Sequence, residues 1–335
     1  MINNAISSKR KSLIDLAYCK ATNTNKFFNH GIGDKPYLDW LSSRIDDEIP
    51  VKEVEIHWGK KRRFSNIEIT DGLFESPAEE FLPNESKKVF IRKIMPLRND
   101  ASTPIVMQFA GTGDVGFSRR SFFLANPLAR RGIGSILLEN PFYGKRKPIN
   151  QTSFYINNVS DLFKLAHAAV EEGRSLLKHF WDSGHRKIAL TGMSMGGQTS
   201  IFTGLYSPYP VAIIPCVTPH SPEPVFMDEV LSDSINWTAI SRDLPKNDNN
   251  AELYMRNLFS KFDMRNFPAP MDTNLIHIVA GKYDAYVPLH SAQLLSKALG
   301  GSKFTLFNGG HIASVLFYSS KLRNIIIDTL KLIQD

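Results

Sequence analysis

The sequence predicts an α/β protein built on a doubly wound, mostly parallel sheet. Short, continuously apolar runs recur along the chain, and segments with helical spacing of apolar residues separate them. Parallel strands covered on both faces have this continuous apolar character, and repeated strand–helix alternation implies right-handed crossovers within one sheet. At 335 residues, with 42% hydrophobic and 22% charged residues, the chain can bury a large core without disulfides or metals.

The regular alternation of strands and helices begins near residue 104. The predicted strands are 104–110, 133–138, 187–190, 211–216, 275–280 and 304–307, and the predicted helices are 118–131, 158–181, 197–206, 288–299 and 312–333. Residues 1–100 are predicted to form a peripheral region packed on this core, with a helix from Leu13 to Ala21 and short strands such as Val89 to Met95. Residues 101–335 then form the main domain.

Residues 218–270 interrupt this alternation. They contain two helical patterns, Val225 to Ile240 and Leu253 to Phe262, and no clear strand. Such an insertion is expected over the carboxyl ends of the strands, where sites form, and is predicted to be a helical cap. Its large apolar side chains either attach the cap to the domain or line a tunnel for an acyl chain: Phe226, Met227, Leu231, Ile235, Trp237, Ile240, Met255, Leu258, Phe259 and Phe262.

Composition and charge exclude several classes of protein. The net charge of +7 would attract anionic surfaces and permits peripheral contact with an anionic membrane. The basic residues are scattered apart from the runs 60–63 and 145–147 and are not interleaved with aromatic residues, so we expect no nucleic-acid partner. Cys19 and Cys216 are too few for a disulfide framework and lack the spacing and neighbours of a metal site.

The cellular compartment is predicted from the apolar runs, the cysteines and the N-terminal charge. No apolar run reaches the roughly 18 residues that a membrane span requires, and few cysteines favour a reducing environment. The first thirty residues are basic, with Asp15 as the only acid, which gives them some likeness to a mitochondrial leader, although an ordinary helix is the favoured interpretation. We expect an intracellular, cytoplasmic protein, or a mitochondrial one if the source is eukaryotic.

The motif Gly192-Met193-Ser194-Met195-Gly196 predicts a nucleophile. It follows the predicted strand 187–190 and opens the predicted helix 197–206, the context in which a nucleophilic serine stands on a sharp strand-to-helix turn. Any Cβ at Gly192 or Gly196 would collide within that turn. The flanking strand and helix make a functional Ser194 a better interpretation than a chance Gly–Ser turn.

A serine hydroxyl needs a base that is oriented by an acid, and in this architecture the order is Ser, acid, His. Asp284 follows the predicted strand 275–280, and His311 follows the last predicted strand, so both can reach the sheet edge that carries Ser194. Asp284 could instead cap the next helix. The reserve candidates are His290 and His220 for the base and Asp228 and Glu223 for the acid.

A second glycine motif, Gly111 to Gly116, permits two interpretations. Its GxGxxG spacing after a strand matches a dinucleotide-binding loop, with Glu139 placed to bind a ribose hydroxyl. The motif stands about a hundred residues into the chain, however, and a bulky Phe117 follows it. The favoured interpretation is an oxyanion loop, in which Met195 supplies one backbone N–H donor and Gly111 or Thr112 the other.

Several strings resemble the α/β-hydrolase domain-containing protein 18 family. The residues that carry the resemblance are 110–114, 137–144 with Arg146 and Pro148, 158–163, 191–197, 214–216, 234–237, 284–288 and 309–312. The similarity covers most of the chain from about residue 70. It implies an α/β-hydrolase fold and a serine hydrolase, with Ser194, Asp284 and His311 at the matching positions, and eukaryotic members are linked to mitochondria and lipid metabolism.

Together these features predict a serine hydrolase that cleaves a carboxylic ester, such as a lipid or long-chain acyl ester, through an acyl-enzyme on Ser194. No metal or organic cofactor is required. The alternatives are an acyltransferase that passes the acyl group to an alcohol or thiol, a non-catalytic binding protein of the same fold and, more remotely, a nucleotide-binding oxidoreductase.

Overall fold

A computed structural model describes residues 11–44, 50–245, 250–268, 270 and 272–334. The strands are β1 (His57–Trp58), β2 (Arg62–Phe64), β3 (Ile67–Glu75), β4 (Lys88–Pro96), β5 (Ile105–Phe109), β6 (Gly134–Leu138), β7 (Ile188–Met193), β8 (Ala212–Cys216), β9 (His277–Gly281) and β10 (Lys303–Phe307). The α-helices are α1 (Leu13–Thr22), α2 (Lys35–Ser43), α3 (Ser118–Arg120), α4 (Asn126–Ala129), α5 (Val159–Asp182), α6 (Met195–Leu205), α7 (Trp237–Arg242), α8 (Ala251–Ser260), α9 (Leu289–Ala298), α10 (His311–Leu316) and α11 (Ser319–Leu330).

All ten strands belong to one sheet, in the order β1-β3-β4-β6-β5-β7-β8-β9-β10, with β2 paired to β3. The strands from β5 to β10 pair in parallel, which confirms the predicted fold class. Strands β1 to β4 are antiparallel, and β4 joins them to the parallel part through β6. Residues 57–96, predicted to be part of a peripheral region, therefore continue the central sheet.

Helices cover both faces of this sheet, which explains why its central strands are apolar throughout. Alternate residues of β5 point to opposite sides: Met107 joins a core cluster with Leu176 of α5, and Val106 joins another with Leu322 and Ile326 of α11. Every residue of β5, β6 and β8 is buried. The continuous apolar run in the sequence is thus the signature of a strand with two covered faces.

Two of the predicted helices are broken. The segment 118–131 widens into a π-helical turn at Ser121–Ala125, because Pro127 in the first turn of α4 has no N–H to donate to the carbonyl of Phe123. The Arg323 guanidinium donates to that carbonyl instead, at 2.6 Å. The segment 312–333 divides into α10 and α11 around Tyr318, whose ring stacks on Phe307 with centroids 4.6 Å apart.

The insertion packs against the N-terminal part of the chain. Its described residues form α7, α8 and short helical turns, and the backbone of Phe27 pairs with Ile235 in a single parallel bridge. All ten apolar residues named for the cap belong to, or pack against, one core cluster that includes Phe27 and Phe28. Attachment of the cap therefore accounts for most of its apolar surface.

Most side chains of the two basic runs, 60–63 and 145–147, form ion pairs with acidic residues of the same chain. Lys61 and Arg63 both reach Glu68, and Arg62 pairs with Asp71. In the second run, Arg146 is fully buried and forms a bidentate ion pair with Glu172. Within the described ranges, no helix combines the length and apolar character needed to cross a bilayer. Of the leader-like residues 1–30, the first ten lie outside the described part of the chain, and α1 is the helix expected from Leu13 to Ala21.

Candidate active site

Ser194 stands on a strained turn between β7 and α6. Its backbone has φ +53° and ψ −119°, a conformation that costs a non-glycine residue free energy and that the surrounding structure must impose. A Cβ at Gly192 would lie 2.3 Å from the carbonyl carbon of Gly196, and a Cβ at Gly196 would lie 2.4 Å from the oxygen of Phe109. The two glycines are therefore required by close backbone contact, as the motif predicts.

The predicted acid and base lie in contact. Asp284 follows β9, and its Oδ1 accepts hydrogen bonds of 2.8 Å from the backbone N–H groups of Tyr286 and Val287. Its Oδ2 lies 2.8 Å from Nδ1 of His311, the first residue of α10. A carboxylate can only accept, so the neutral imidazole carries its proton on Nδ1 and leaves Nε2 as a base.

The environment of His311 favours its charged form. Burial by itself lowers the pKa of His311, but the negative charge of Asp284 and the hydrogen bond between the two side chains act in the opposite direction. The charge of Asp15 adds to their effect. The net result is a pKa above the ordinary value, which stabilises the imidazolium that a general base forms.

Ser194 and His311 line one cavity of about 190 Å³. Hydrogen bonds between described residues do not include one from the Ser194 hydroxyl to the His311 ring. Such bonds are often long in unliganded sites and tighten when substrate binds. The cavity wall brings the two side chains to the same space, with Asp284 behind His311.

The glycine loop after β5 lies against the serine turn. A Cβ at Gly111 would come within 2.8 Å of the oxygen of Met193, and Gly111 and Thr112 both line the cavity. In the described chain, no hydrogen bond occupies the backbone N–H of Gly111, Thr112 or Met195, the predicted oxyanion donors. Met195 also lines a separate cavity of about 170 Å³, and its sulfur lies 4.0 Å from the hydroxyl oxygen of Thr112.

Tyr143 and Asn140 support this loop, and sequence reasoning gave neither of them a role. The buried Tyr143 hydroxyl interacts with the N–H of Gly113 and the side chain of Thr112, and burial raises the pKa of this phenol. The Asn140 amide donates to the oxygen of Ala110 at 3.0 Å. Both residues belong to a string that matched the family, which was the only signal for them in the sequence.

The dinucleotide interpretation finds no support in the loop. Glu139, the candidate partner of a ribose hydroxyl, is 3% exposed, and its Oε1 accepts from the N–H of Gly116 at 3.0 Å. Its carboxylate thus holds the loop closed and does not face open space. Within the described ranges, no group of three or more His, Cys, Asp or Glu side chains is arranged to hold a metal ion.

The reserve residues lie away from Ser194. Glu223 and Asp228 both pair with Arg256, at 3.0 and 2.8 Å. His290 is exposed at the surface. His220 is buried against Ser291, with Nδ1 at 2.7 Å from the hydroxyl oxygen, and none of these residues lines the cavity of Ser194.

Asp15 is a further residue of the site to which sequence reasoning gave no role. It lies in α1, is fully buried, and accepts hydrogen bonds from the backbone N–H groups of Ala285, His311 and Ile312. Those partners are 270 to 297 positions away in the chain, so neither spacing nor local pattern could reveal them.

The cavity is bounded mainly by segments outside the cap. Among the ten apolar cap residues, only Leu231 contributes to its wall. The cap also contributes Val225. Much of the remaining apolar wall comes from the N-terminal segment, the π-helical turn after α3 and helices α10 and α11, with Phe27, Phe123, Leu124, Val315 and Leu322. Of the two alternatives for these ten cap residues, attachment of the cap therefore fits nine of them better than the lining of a tunnel.

Comparison with known proteins gives one family and many related folds. The family described as "Alpha/beta hydrolase domain containing 18" matches residues 25–255 and 243–332. An acetyl xylan esterase from Paenibacillus sp. R4 superposes with a TM-score of 0.59 at 13% identity over 90% of this chain and 97% of that chain.

Two further solved structures have the same fold. Acetyl xylan esterase 1 from Thermoanaerobacterium sp. JW/SL YS485 gives a TM-score of 0.57 at 12% identity, over 92% of this chain and 98% of that chain. The protein Est1E from Butyrivibrio proteoclasticus, solved with ferulic acid, gives 0.54 at 18% identity, over 73% of this chain and 96% of that chain. At these identities the likeness establishes the α/β-hydrolase fold and nothing finer.

Proposed function

The chain belongs to the α/β-hydrolase domain-containing 18 family, and on that premise we propose that it is a serine hydrolase that cleaves a carboxylic ester. The observation that carries the proposal is the strained Ser194 at the wall of a cavity it shares with His311, whose ring is held by Asp284. Strain of this kind is retained at sites where it exposes a reacting group.

In the proposed reaction the Ser194 hydroxyl attacks the ester carbonyl while Nε2 of His311 takes its proton. The tetrahedral intermediate collapses, His311 returns the proton to the leaving alcohol, and the acyl group remains on Ser194. Water, activated by the same imidazole, then releases the carboxylic acid. Asp284 holds the ring and stabilises its charged form throughout.

The oxyanion of the intermediate requires donors that are already oriented. The unoccupied N–H of Met195 at the start of α6, together with Gly111 or Thr112 from the loop after β5, supplies them in this proposal. Tyr143 occupies the N–H of Gly113, which holds the loop and leaves the two preceding donors for substrate.

The cavity supports an ester with an apolar acyl group. Its wall is formed largely by aromatic and aliphatic side chains, including Phe27, Phe123 and Leu322. Apolar walls with few polar groups near the reacting centre are typical of sites that bind hydrophobic substrates. The esterases among the structural relatives support ester cleavage as the reaction class.

The nucleophile can be tested with a fluorophosphonate probe. The wild-type protein should be labelled on Ser194, and the Ser194→Ala variant should not be labelled. Its ester turnover should be lower than that of the wild type by about 10⁶-fold, the scale seen when a triad serine is removed. Ser291→Ala is the matched control, because Ser291 is a serine in contact with a histidine but is fully buried. Equal labelling and hydrolysis by folded Ser194→Ala would refute the proposal.

The acyl preference can be tested with p-nitrophenyl esters of increasing chain length. Turnover per enzyme should rise from acetyl toward medium chains, because each added methylene gains contact with the apolar wall. Leu322→Asn, which places a polar group in that wall, should flatten the dependence while leaving acetyl ester cleavage close to wild type. Highest activity on the acetyl ester would instead identify an esterase for small polar substrates.

A further inference from the structure

We propose that Asp15 is a positioning residue of the catalytic site: its buried carboxylate holds the backbone at His311 and the loop that carries Asp284 in register with each other. The proposal rests on the function proposed above. It assigns a catalytic contribution to helix α1, which lies outside the parallel sheet and its crossovers.

The geometry begins with three hydrogen bonds. Oδ2 of Asp15 accepts from the N–H of His311 at 2.7 Å and from the N–H of Ala285 at 3.1 Å, and Oδ1 accepts from the N–H of Ile312 at 3.0 Å. All three of these partners are backbone N–H donors, and the carboxylate accepts from each of them. One side chain thus binds the residue after Asp284 and the catalytic histidine itself.

The surrounding chain leaves little room for another arrangement. A Cβ at Gly310 would lie 2.3 Å from Oδ2 of Asp15, so the glycine before His311 permits this close approach. The N–H of Ser12 donates to the oxygen of Tyr283 at 2.8 Å, which adds a backbone contact between the start of α1 and the same loop. Helix α1 is therefore attached to both loops that carry the acid and the base.

A residue that binds the backbones of two loops fixes the relative positions of the side chains that those loops carry. The Nδ1–Oδ2 bond between His311 and Asp284 joins side chains that follow two adjacent strands. The backbone pairing of β9 with β10 ends at the hydrogen bond from Tyr283 to Gly309, one residue before Asp284, and the carboxylate of Asp15 continues the connection beyond it. A displacement of about 1 Å in a catalytic group can cost on the order of 10²-fold in rate. Asp15 bridges the backbones of the two loops and limits that displacement.

The charge of Asp15 also reaches the imidazole. The groups that face His311 are Asp284 at its Nδ1, the Tyr286 ring at 4.9 Å and Asp15 at its backbone. Both carboxylates raise the pKa of His311, against the lowering effect of burial. Loss of the Asp15 charge should therefore lower the pKa of the catalytic base, an effect that a purely structural contact would not have.

The experiment compares Asp15→Asn with Asp263→Asn. Both positions are buried carboxylates with backbone N–H partners, and Asp263 lies outside the catalytic cavity. Asp15→Asn should lower kcat on a p-nitrophenyl ester by about 10- to 100-fold with KM within about twofold of wild type. The acid limb of its kcat/KM profile should move to lower pH, because one of the charges that raise the pKa of His311 is removed. Asp263→Asn should keep the wild-type kcat and acid limb.

The outcomes separate the two proposals. An Asp15→Asn enzyme with wild-type kcat and an unmoved acid limb, or with losses matched by Asp263→Asn, would overturn the role of Asp15. Retention of activity by Ser194→Ala would overturn the proposed function itself. If Asp15→Asn does not fold, Asp15→Glu takes its place. It keeps the charge but displaces the carboxylate, so kcat should fall while the acid limb stays at its wild-type pH, and wild-type kcat would contradict the proposal.

Discussion

Two groups of serine, histidine and aspartate stand out in the described part of the chain. Residues of the first group line one of the two cavities described above, whereas residues of the second group line neither. In the first, Asp284 holds His311 beside the space that Ser194 faces. In the second, the His220 ring lies 2.7 Å from the Ser291 hydroxyl and 3.6 Å from the Asp263 carboxylate. The two groups therefore share their residue types and the proximity of the histidine to a carboxylate.

The backbone distinguishes them. Ser194 has a positive φ at a strand-to-helix turn with unoccupied N–H groups beside it, whereas Ser291 lies within the regular first turn of α9 and is fully buried. The Ser291 hydroxyl also accepts the backbone N–H of His220 at 3.1 Å. A serine becomes a candidate nucleophile through exposure to a cavity and adjacent oxyanion donors, and proximity to a histidine is not sufficient.

The two histidines also differ in electrostatics. At His220 burial lowers the pKa and outweighs the raising effect of Asp263, and the charge of Arg265, which forms a bidentate ion pair with Asp263, lowers the pKa further. At His311 the corresponding carboxylate has no cationic partner among the described residues other than the imidazole, and the pKa is raised. A carboxylate supports a base only if its charge is not neutralised elsewhere.

The largest effect that should separate the two groups comes from their acids. Asp284→Asn should lower turnover by about 10⁴, since an amide at this position favours the wrong tautomer of His311. Asp263→Asn should leave turnover unchanged and lower the thermal midpoint, because it removes the partner of Arg265.

Kinetic assays and thermal unfolding of the two purified variants provide the test. Glu223→Gln is added as a further control, and its turnover should equal that of the wild type. If Glu223→Gln or Asp263→Asn loses most of its turnover while Asp284→Asn keeps nearly all of it, the catalytic acid is not Asp284.

A smaller effect should appear in the pH dependence. Because catalysis needs neutral His311 and its pKa is raised above 6.5, kcat/KM should fall as pH drops through a value above 6.5. His220, whose pKa is lowered, should contribute nothing to this limb, so His220→Gln should leave it in place. Measurement of kcat/KM from pH 5 to 9 for both proteins tests this, and an acid limb below the ordinary histidine value would contradict it.

The sequence predicted the sheet and the serine turn for physical reasons that are local. Strands β5 to β8 are buried on both faces, which leaves continuous apolar runs. Gly192 is required by a contact within the serine turn, and Gly196 by the close approach of β5. The order of Asp284 and His311 then followed from strand ends. These features depend on short stretches of chain, so the local sequence is sufficient to predict them.

Other features depend on contacts that no short stretch records. The pairing of β4 with β6 placed residues 57–96 in the central sheet, and the buried carboxylate of Asp15 found partners at the far end of the chain. The apolar residues of the cap could equally have lined a tunnel or packed on Phe27, and their identity does not distinguish the two. Only the assembled structure decides between such arrangements.

The hydrogen bond between Asp15 and the N–H of His311 closes a loop of 296 residues, and this has a consequence for biosynthesis. During translation the serine turn can form once β7 and α6 have left the ribosome, but helix α1 must wait for His311. Contacts of such separation form late, because the entropy of closing the loop is lost before they stabilise the chain. A nascent chain that ends before residue 311 would therefore carry the strained serine without its base and remain catalytically silent.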